Sequence, residues 1–109
     1  MPKIKCRNIF SGLPAAKKCE VFQTLVRGKG FKIERIVSCG QATPEGKWLC
    51  SKTVEWVIVL RGRARLCFKG ARKLDLRVGK HVFIPAHTCH RVDWTHPMQK
   101  TVWLAVHCG

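Results

Sequence analysis

The fold is decided by a stretch that begins at a turn glycine and ends at a histidine: Gly79-Lys80-His81-Val82-Phe83-Ile84-Pro85-Ala86-His87-Thr88-Cys89-His90. A short apolar run stops at Pro85, and another begins at His90. Upstream of this stretch, Glu55 is followed seven residues later by a second turn glycine, Gly62. A carboxylate with a turn glycine, followed by a glycine–proline–histidine block, indicates a small β-barrel that carries metal ligands into its interior.

Outside this stretch, the second half of the chain shows the period-two alternation of strands. Glycine or proline separates the short apolar runs from one another. The pattern predicts strands over 55–60, 63–68, 73–78, 81–84, 90–94 and 101–107, and one further strand is predicted earlier in the chain, over 31–38. Short strands at such close spacing are typical of an all-β sandwich or barrel.

The length of 109 residues predicts one domain with a single core. We expect an irregular N-terminal arm over 1–30, containing a short helix or an edge strand at 17–26, and a barrel over 31–109. A hydrophobic content of 46% excludes disorder as the main state. No apolar run approaches the ~20 residues that span a bilayer, and the first ten residues lack the apolar segment of an export signal. The expected location is therefore the cytoplasm.

The seven cysteines do not predict a disulfide framework, because their number is odd and no export signal precedes them. No CxxC pair occurs, which argues against a zinc ribbon or a thioredoxin-like pair. We expect most of these cysteines to be small buried hydrophobes or exposed thiols. Cys50 and Cys89 stand apart because they lie beside the motif residues.

The charge is strongly positive, with 21 Lys and Arg against 6 Asp and Glu and a net charge of +15. Such a field attracts polyanions without sequence preference. The basic residues are spread along the chain, and Arg61, Arg63 and Arg65 alternate along one predicted strand. This alternation is typical of a solvated strand face, and a selected nucleic-acid site is the less favoured interpretation.

The parity of the strands predicts where the titratable groups point. Glu55 shares its face with Val57, and His90 shares its face with Val92 and Trp94. Both groups are therefore expected to point into the barrel. A histidine in that position can be a satisfied core residue, whereas an ionised carboxylate needs a partner when it is buried.

These residues together resemble the motifs of the cupins, the double-stranded β-helix superfamily. The second cupin motif, G-x5-P-x-G-x2-H-x3-N, is matched by Gly79, Pro85 and His90, with His87 and Trp94 replacing its second glycine and its asparagine. The first motif, G-x5-H-x-H-x3-4-E-x6-G, survives only as its glutamate and its last glycine. Depending on the gap, its two histidine positions hold Trp48 and Cys50, or Leu49 and Ser51.

The resemblance is greatest to a group of small, single-domain bacterial cupins of unassigned function. It extends from Asn8 to His107 and includes the stretches 35–38, 43–46, 55–57, 84–92 and 101–107. It implies an all-β, cupin-type jelly-roll barrel. The charge pattern is basic where such relatives are acidic or mixed, and both an engineered charge-shifted variant and a natural basic lineage would account for it.

The resemblance implies a partial metal site or small-ligand site inside the barrel. Its ligands would be Glu55, His90, His87 and Cys50, the last as a thiolate, and the ion would be a divalent transition metal: zinc, iron, manganese, copper or nickel. Trp48 and Trp94 are expected to line a ligand pocket. In the alternative interpretation, His87 caps a turn and Cys50 is merely packed.

No reaction can be assigned from these residues, because fold does not determine function. A metal-assisted enzyme and a metal-independent binding module for a small molecule both remain open, and a charge-driven polyanion or nucleic-acid binder is the third interpretation. We also expect a homodimer, formed through the apolar face of Trp56, Ile58 and Leu60, and no membrane partner.

Overall fold

The computed structural model describes all residues from 1 to 109 and contains eight β-strands. In chain order they are β1 (Val21–Gly28), β2 (Phe31–Ser38), β3 (Val54–Arg61), β4 (Arg63–Phe68), β5 (Lys73–Arg77), β6 (His81–Ile84), β7 (His90–Thr95) and β8 (Thr101–Cys108). None of the chain forms a helix of the length and apolarity needed to cross a membrane.

The strands form two antiparallel sheets that face each other. The larger sheet has the order β1-β2-β8-β3-β6, and the smaller has the order β5-β4-β7. Side chains from both inner faces make the core: Ile36, Val57, Val59, Ala64, Leu66, Leu76, Ile84, Trp103 and Ala105. The prediction of an all-β sandwich or barrel is confirmed.

The predicted strands fall within one or two residues of the observed ones, but the arm is shorter than expected. The segment predicted as a helix or edge strand is the edge strand β1, which pairs with β2 in a hairpin. Gly30 lies in the hairpin turn with φ +76°, a conformation that glycine adopts without strain. The arm therefore ends near residue 20, and placing its end at residue 30 was wrong.

The arm packs on the outer face of the larger sheet and is held there by Arg35. Arg35 is 7% exposed as a whole residue, and its guanidinium donates hydrogen bonds to the carbonyl oxygens of Ile9, Ser11 and Gly12 and to the side chain of Gln23. All these acceptors are neutral, so hydrogen bonds rather than an ion pair compensate for the burial of the charge.

A β-bulge interrupts the pairing of β7 with β4. Leu66 lies opposite Val92, and Arg65 lies opposite Trp94, which leaves Asp93 as an extra residue. An extra residue reverses the facing of the side chains that follow it. His90 and Val92 therefore face the core, whereas Trp94 faces outward, beside the Arg65 guanidinium at 5.4 Å from its ring centre.

Candidate functional site

A cavity of about 290 Å³ lies between the two sheets. Its walls are mainly apolar and include Ile36, Val57, Leu66, Ile84 and Trp103. The volume is close to the lower end of the ~300–1,000 Å³ usual for small-molecule sites. The cavity is thus suited to a small ligand with an apolar body.

Four titratable side chains meet in this cavity, and we call them the carboxylate–imidazole cluster: Glu34, Glu55, His90 and His107. The His107 Nε2 atom lies 2.8 Å from Glu34 Oε1 and 3.5 Å from Glu55 Oε2. The His90 Nε2 atom lies 3.7 Å from Glu55 Oε1. The Glu34 side chain is 8% exposed and that of Glu55 is 20% exposed, so Glu34 in particular relies on its hydrogen bond with His107 to compensate for its burial.

Strand register brings three members of the cluster together. Glu55 on β3 lies directly opposite His107 on β8. Glu34 on β2 lies opposite Ala105, two residues before His107, and is therefore its diagonal neighbour on the same face. Since alternate residues of a strand share a face, the same face carries the apolar walls and the polar cluster.

His90 reaches the cluster from the opposite sheet with a defined ring orientation. Its Nδ1 atom lies 3.3 Å from the carbonyl oxygen of Thr88. A hydrogen bond donated there by Nδ1–H leaves the Nε2 lone pair directed toward Glu55, which is the tautomer of a typical metal-binding histidine.

Imidazole nitrogens and carboxylate oxygens are ligands that suit a transition metal. In this structure, however, they are not placed around a common point at coordination distance. No group of three or more His, Cys, Asp or Glu side chains is positioned to hold an ion as it stands. Two donors bound at ~2.1 Å to one ion are roughly 3.0–3.4 Å apart, and the 3.5 and 3.7 Å separations around Glu55 exceed that range by only a few tenths of an ångström. The 2.8 Å contact of His107 with Glu34 is a hydrogen bond.

The structure brings together only some of the residues predicted for the site. Glu55 and His90 line the cavity, as their strand parity predicted. Trp48 lies outside the cavity with Lys69 Nζ 5.9 Å from its ring centre. Trp94 also lies outside it, because the bulge in β7 turns its side chain to the outer face; placing both tryptophans in the pocket was wrong.

His87 is exposed and does not line the cavity. Its φ is +61°, a left-handed conformation that non-glycine residues adopt at a cost. Its backbone N–H donates to the carbonyl oxygen of Ser51 at 2.7 Å. The cupin motif has glycine at this position, and the backbone conformation explains why. The turn interpretation is the one that the geometry favours.

Cys50 lines the cavity, but its sulfur is bonded to Cys89. A disulfide sulfur is not the thiolate that a metal site requires, so Cys50 is not available as a ligand in this oxidation state. The sequence did not predict this bond, although it set Cys50 and Cys89 apart from the other five cysteines, which are free.

Glu34 and His107 were missed as site residues, although a signal for them was present. Glu34 shares its face with Ile36, and His107 shares its face with Trp103 and Ala105. The parity reasoning that selected Glu55 and His90 applies to both. The sequence alone did not show that β2 and β3 both pair with β8, and this pairing places Glu34 and His107 side by side.

Comparisons with known proteins support the fold that the geometry shows. A protein from Ralstonia eutropha JMP134, provisionally named a mannose-6-phosphate isomerase, is 45% identical, with a TM-score of 0.93 over 96% of this chain and 98% of that one. A cupin superfamily protein from Desulfitobacterium hafniense DCB-2 is 15% identical, with a TM-score of 0.77 over 100% of this chain and 95% of that one. A comparison with curated proteins found no match. The family model described as a cupin domain matches residues 43–107, more than half of the chain, and the chain therefore belongs to the cupin family.

Proposed function

We propose that the protein binds a small, largely apolar molecule that carries an amine or hydroxyl end. The observation that supports this is the distribution of charge. Three of the six acidic residues of the chain, Glu20, Glu34 and Glu55, line the cavity, and none of its 21 Lys and Arg residues does. In a chain of net charge +15, this makes the cavity locally acidic and favours ligands that donate hydrogen bonds or bring a positive charge.

The same distribution of charge bears on the activity suggested by the name of the Ralstonia protein. A sugar phosphate brings a doubly charged group, and phosphates are held by Arg, Lys or clustered backbone N–H groups. A cavity lined by three carboxylates and no Lys or Arg repels such a group. We therefore do not extend sugar-phosphate isomerisation to this chain.

The carboxylate–imidazole cluster would hold the polar end of the ligand. Glu55 can accept a hydrogen bond from a bound hydroxyl or amine, while the hydrogen bond between His107 Nε2 and Glu34 holds the imidazole beside it. The apolar walls would enclose the rest of the molecule and exclude water. These groups are sufficient for binding and for acid–base chemistry, without fixing a reaction.

A thermal-shift panel of short-chain amines, alcohols and organic acids tests this proposal. We expect amines or alcohols to raise the melting temperature and organic acids to leave it unchanged. Glu55→Gln should abolish the shift, whereas Glu45→Gln, which removes an exposed loop carboxylate outside the cavity, should preserve it. A panel without any stabilising amine or alcohol, or a shift that survives in Glu55→Gln, would contradict the proposal.

A divalent metal site in the same cluster is the second candidate. The orientation of His90 favours it, because Nε2 is directed at Glu55 while Nδ1 contacts a carbonyl oxygen. His90 and Glu55 would hold the ion. His107 Nε2 would join them only in place of its hydrogen bond with Glu34, because a ring nitrogen that binds a metal carries no proton to donate. Such an ion supplies Lewis acidity toward a ligand oxygen.

Metal binding is tested by elemental analysis of protein purified without chelators and by calorimetric titration with Zn²⁺ and Mn²⁺. We expect His90→Gln to remove binding and His87→Gln to retain it, because only His90 lines the cavity. Added metal should also make organic acids stabilising, which separates this candidate from metal-independent binding. A wild-type protein that is metal-free as purified and binds neither ion would exclude the metal site.

A further inference from the structure

The Cys50–Cys89 disulfide joins two sides of the cavity rim. Cys50 lines the cavity together with Glu55, and Cys89 directly precedes His90. The bond therefore links the loop between β2 and β3 to the residue immediately before β7. None of the chemistry proposed above uses this bond.

The backbone holds the two cysteines together independently of the bond between them. Leu49 and His90 exchange two backbone hydrogen bonds of 2.7 and 2.9 Å. Cys50 and Cys89 are the next pair along this antiparallel bridge, with their Cα atoms 4.4 Å apart. That is close to the ~4.5 Å of a non-hydrogen-bonded antiparallel pair, so the two sulfurs stay neighbours after reduction.

We propose that Cys50–Cys89 is a reversible redox-active pair whose reduction loosens the rim that holds His90 in the cavity. The co-reactant is a thiol or dithiol reductant. Cys50 is exposed, and exposure is what thiolate attack requires. An effect of this loosening on ligand binding follows only from the proposed function, whereas the redox step and the loosening do not depend on it.

The exchange is a two-electron step. An external thiolate attacks one sulfur of the pair, which forms a mixed disulfide and releases the other cysteine as a thiolate. A second external thiolate attacks the external sulfur of that mixed disulfide and releases the remaining cysteine. The external thiols leave as their own disulfide, and an oxidised external disulfide drives the reverse reaction.

Loosening follows from how few other bonds hold the rim loop. From Trp48 to Thr53, the backbone bonds to the rest of the molecule are the two of the Leu49–His90 bridge and the one from His87 N to Ser51 O, whereas the part of the loop nearer β2 is held through Thr43. Local opening is governed by such small sets of contacts. When the disulfide is reduced, these three hydrogen bonds remain but the covalent link is lost.

Native alkylation followed by mass spectrometry tests the redox step. The oxidised protein should take up five alkyl groups, because five cysteines are free. Treatment with millimolar reduced glutathione under native conditions should raise the number to seven by adding alkyl groups at Cys50 and Cys89, and oxidised glutathione should protect these two cysteines again by re-forming the bond between them. A protein that still takes up only five groups after glutathione treatment would overturn the proposal.

Amide hydrogen exchange tests the structural consequence without any ligand. We expect the amides of Leu49, His87 and His90 to exchange at least about tenfold faster after reduction, while those of β8 change by less than about twofold. The Cys50→Ser/Cys89→Ser protein should behave like the reduced form, and Cys67→Ser should behave like the wild type. Equal exchange at the rim in both redox states would overturn the proposal, whereas absence of ligand binding would affect only the proposed function.

Discussion

At the level of single residues, the burial of each carboxylate and the groups that it contacts determine the polarity of the cavity. The Glu34 carboxylate is nearly buried and contacts both His107 Nε2 and, at 3.5 Å, Lys32 Nζ. A buried carboxylate without such partners would cost several kcal/mol. Removing His107 therefore takes away the hydrogen-bond partner of Glu34 and leaves this buried carboxylate with Lys32 as its remaining charged neighbour.

Replacing His87 by glycine should stabilise the fold without affecting the cavity. The left-handed conformation at φ +61° costs a non-glycine residue about 1–2 kcal/mol, and the greater unfolded freedom of glycine offsets about 0.5–1 kcal/mol. We expect a net gain of about 0.5–1 kcal/mol in the free energy of unfolding, measured by urea denaturation. His87→Ala, which keeps the strain, should show no gain; equal stabilities of the two variants would contradict this account.

At the level of elements, turns and bulges determine which side chains meet. The bulge in β7 turns Trp94 outward and leaves Asp93 as the extra residue. Asp93 lies 3.1 Å from Lys73 Nζ and 3.8 Å from Arg65 Nη1. The bulge thus places a carboxylate among the cations on the outer face of the smaller sheet. It also breaks the regular alternation of inward and outward side chains along β7.

The two motif glycines should differ sharply in their tolerance of alanine. Both have a positive φ, +87° at Gly62 and +89° at Gly79. A Cβ at Gly62 would lie 2.6 Å from Thr101 Cα and 2.7 Å from the carbonyl oxygen of Lys100, whereas at Gly79 it would meet no atom within 4 Å. We expect Gly62→Ala to cost about 3 kcal/mol through strain and overlap, and Gly79→Ala about 1 kcal/mol. Equal losses in urea denaturation would be inconsistent with the close approach.

The β4–β5 pair should contribute a pH-dependent part of the stability. Arg63 donates two 2.9 Å hydrogen bonds to Asp75, and these bonds hold the pKa of the Asp75 carboxyl below its ordinary value. A lowered folded-state pKa stabilises the protein above the unfolded value near ~4, and this contribution is lost as the pH falls through the folded value.

Asp75→Asn should therefore have a melting temperature that falls less steeply than that of the wild type below about pH 4. Thermal denaturation from pH 2 to 6 measures this slope. Glu45→Gln controls for removing one negative charge from a basic chain. Parallel curves for Asp75→Asn and the wild type would show that the ion pair contributes nothing.

Much of the element structure could be predicted from the sequence, and the exceptions have physical causes. Period-two alternation predicted the strands over 63–68 and 73–78 and the inward facing of Glu55. The same rule was wrong at Trp94, because the extra residue of the bulge reverses the side of the sheet on which the following side chains lie. The sequence of β7 alone does not reveal the bulge. Predicting Glu34 and His107 as site residues required knowledge of which strands pair, and local periodicity does not contain that information. The disulfide needed the Leu49–His90 bridge for the same reason.

At the scale of the whole molecule, positive charge covers the surface while acidity is concentrated inside. The outer face of the smaller sheet carries Arg63, Arg65, Lys73 and Arg77, and its two carboxylates each contact two of these cations. Cations therefore exceed anions on this face. This is the surface on which polyanions would bind.

We propose that nucleic-acid binding by this chain is incidental to its charge. Affinity for single-stranded oligonucleotides, measured by fluorescence anisotropy, should fall about 10–100-fold between 50 and 200 mM salt, as for roughly three to five phosphate contacts. Oligonucleotides of different sequence should bind equally. A marked sequence preference at physiological salt would instead indicate a selected site.

We also propose a homodimer through the outer face of β3. Trp56, Ile58 and Leu60 lie half-buried there, and Phe83, opposite Trp56 on β6, is 58% exposed. Ile58→Lys should convert the dimer to a monomer in size-exclusion chromatography with light scattering, whereas Val78→Lys, at an exposed position beyond β5, should not. A wild-type monomer at micromolar concentration would refute the dimer.

The environment of Trp103 gives the protein a built-in optical reporter. Of the four tryptophans, Trp103 alone is fully buried and lines the cavity. Its Nε1–H donates to Ser38 Oγ at 3.1 Å, and that hydroxyl in turn donates to Glu20 Oε2 at 2.6 Å. A molecule entering the cavity changes the polarity around the indole and perturbs this relay. Occupancy should therefore be visible as a shift in intrinsic fluorescence, which Trp103→Phe would eliminate.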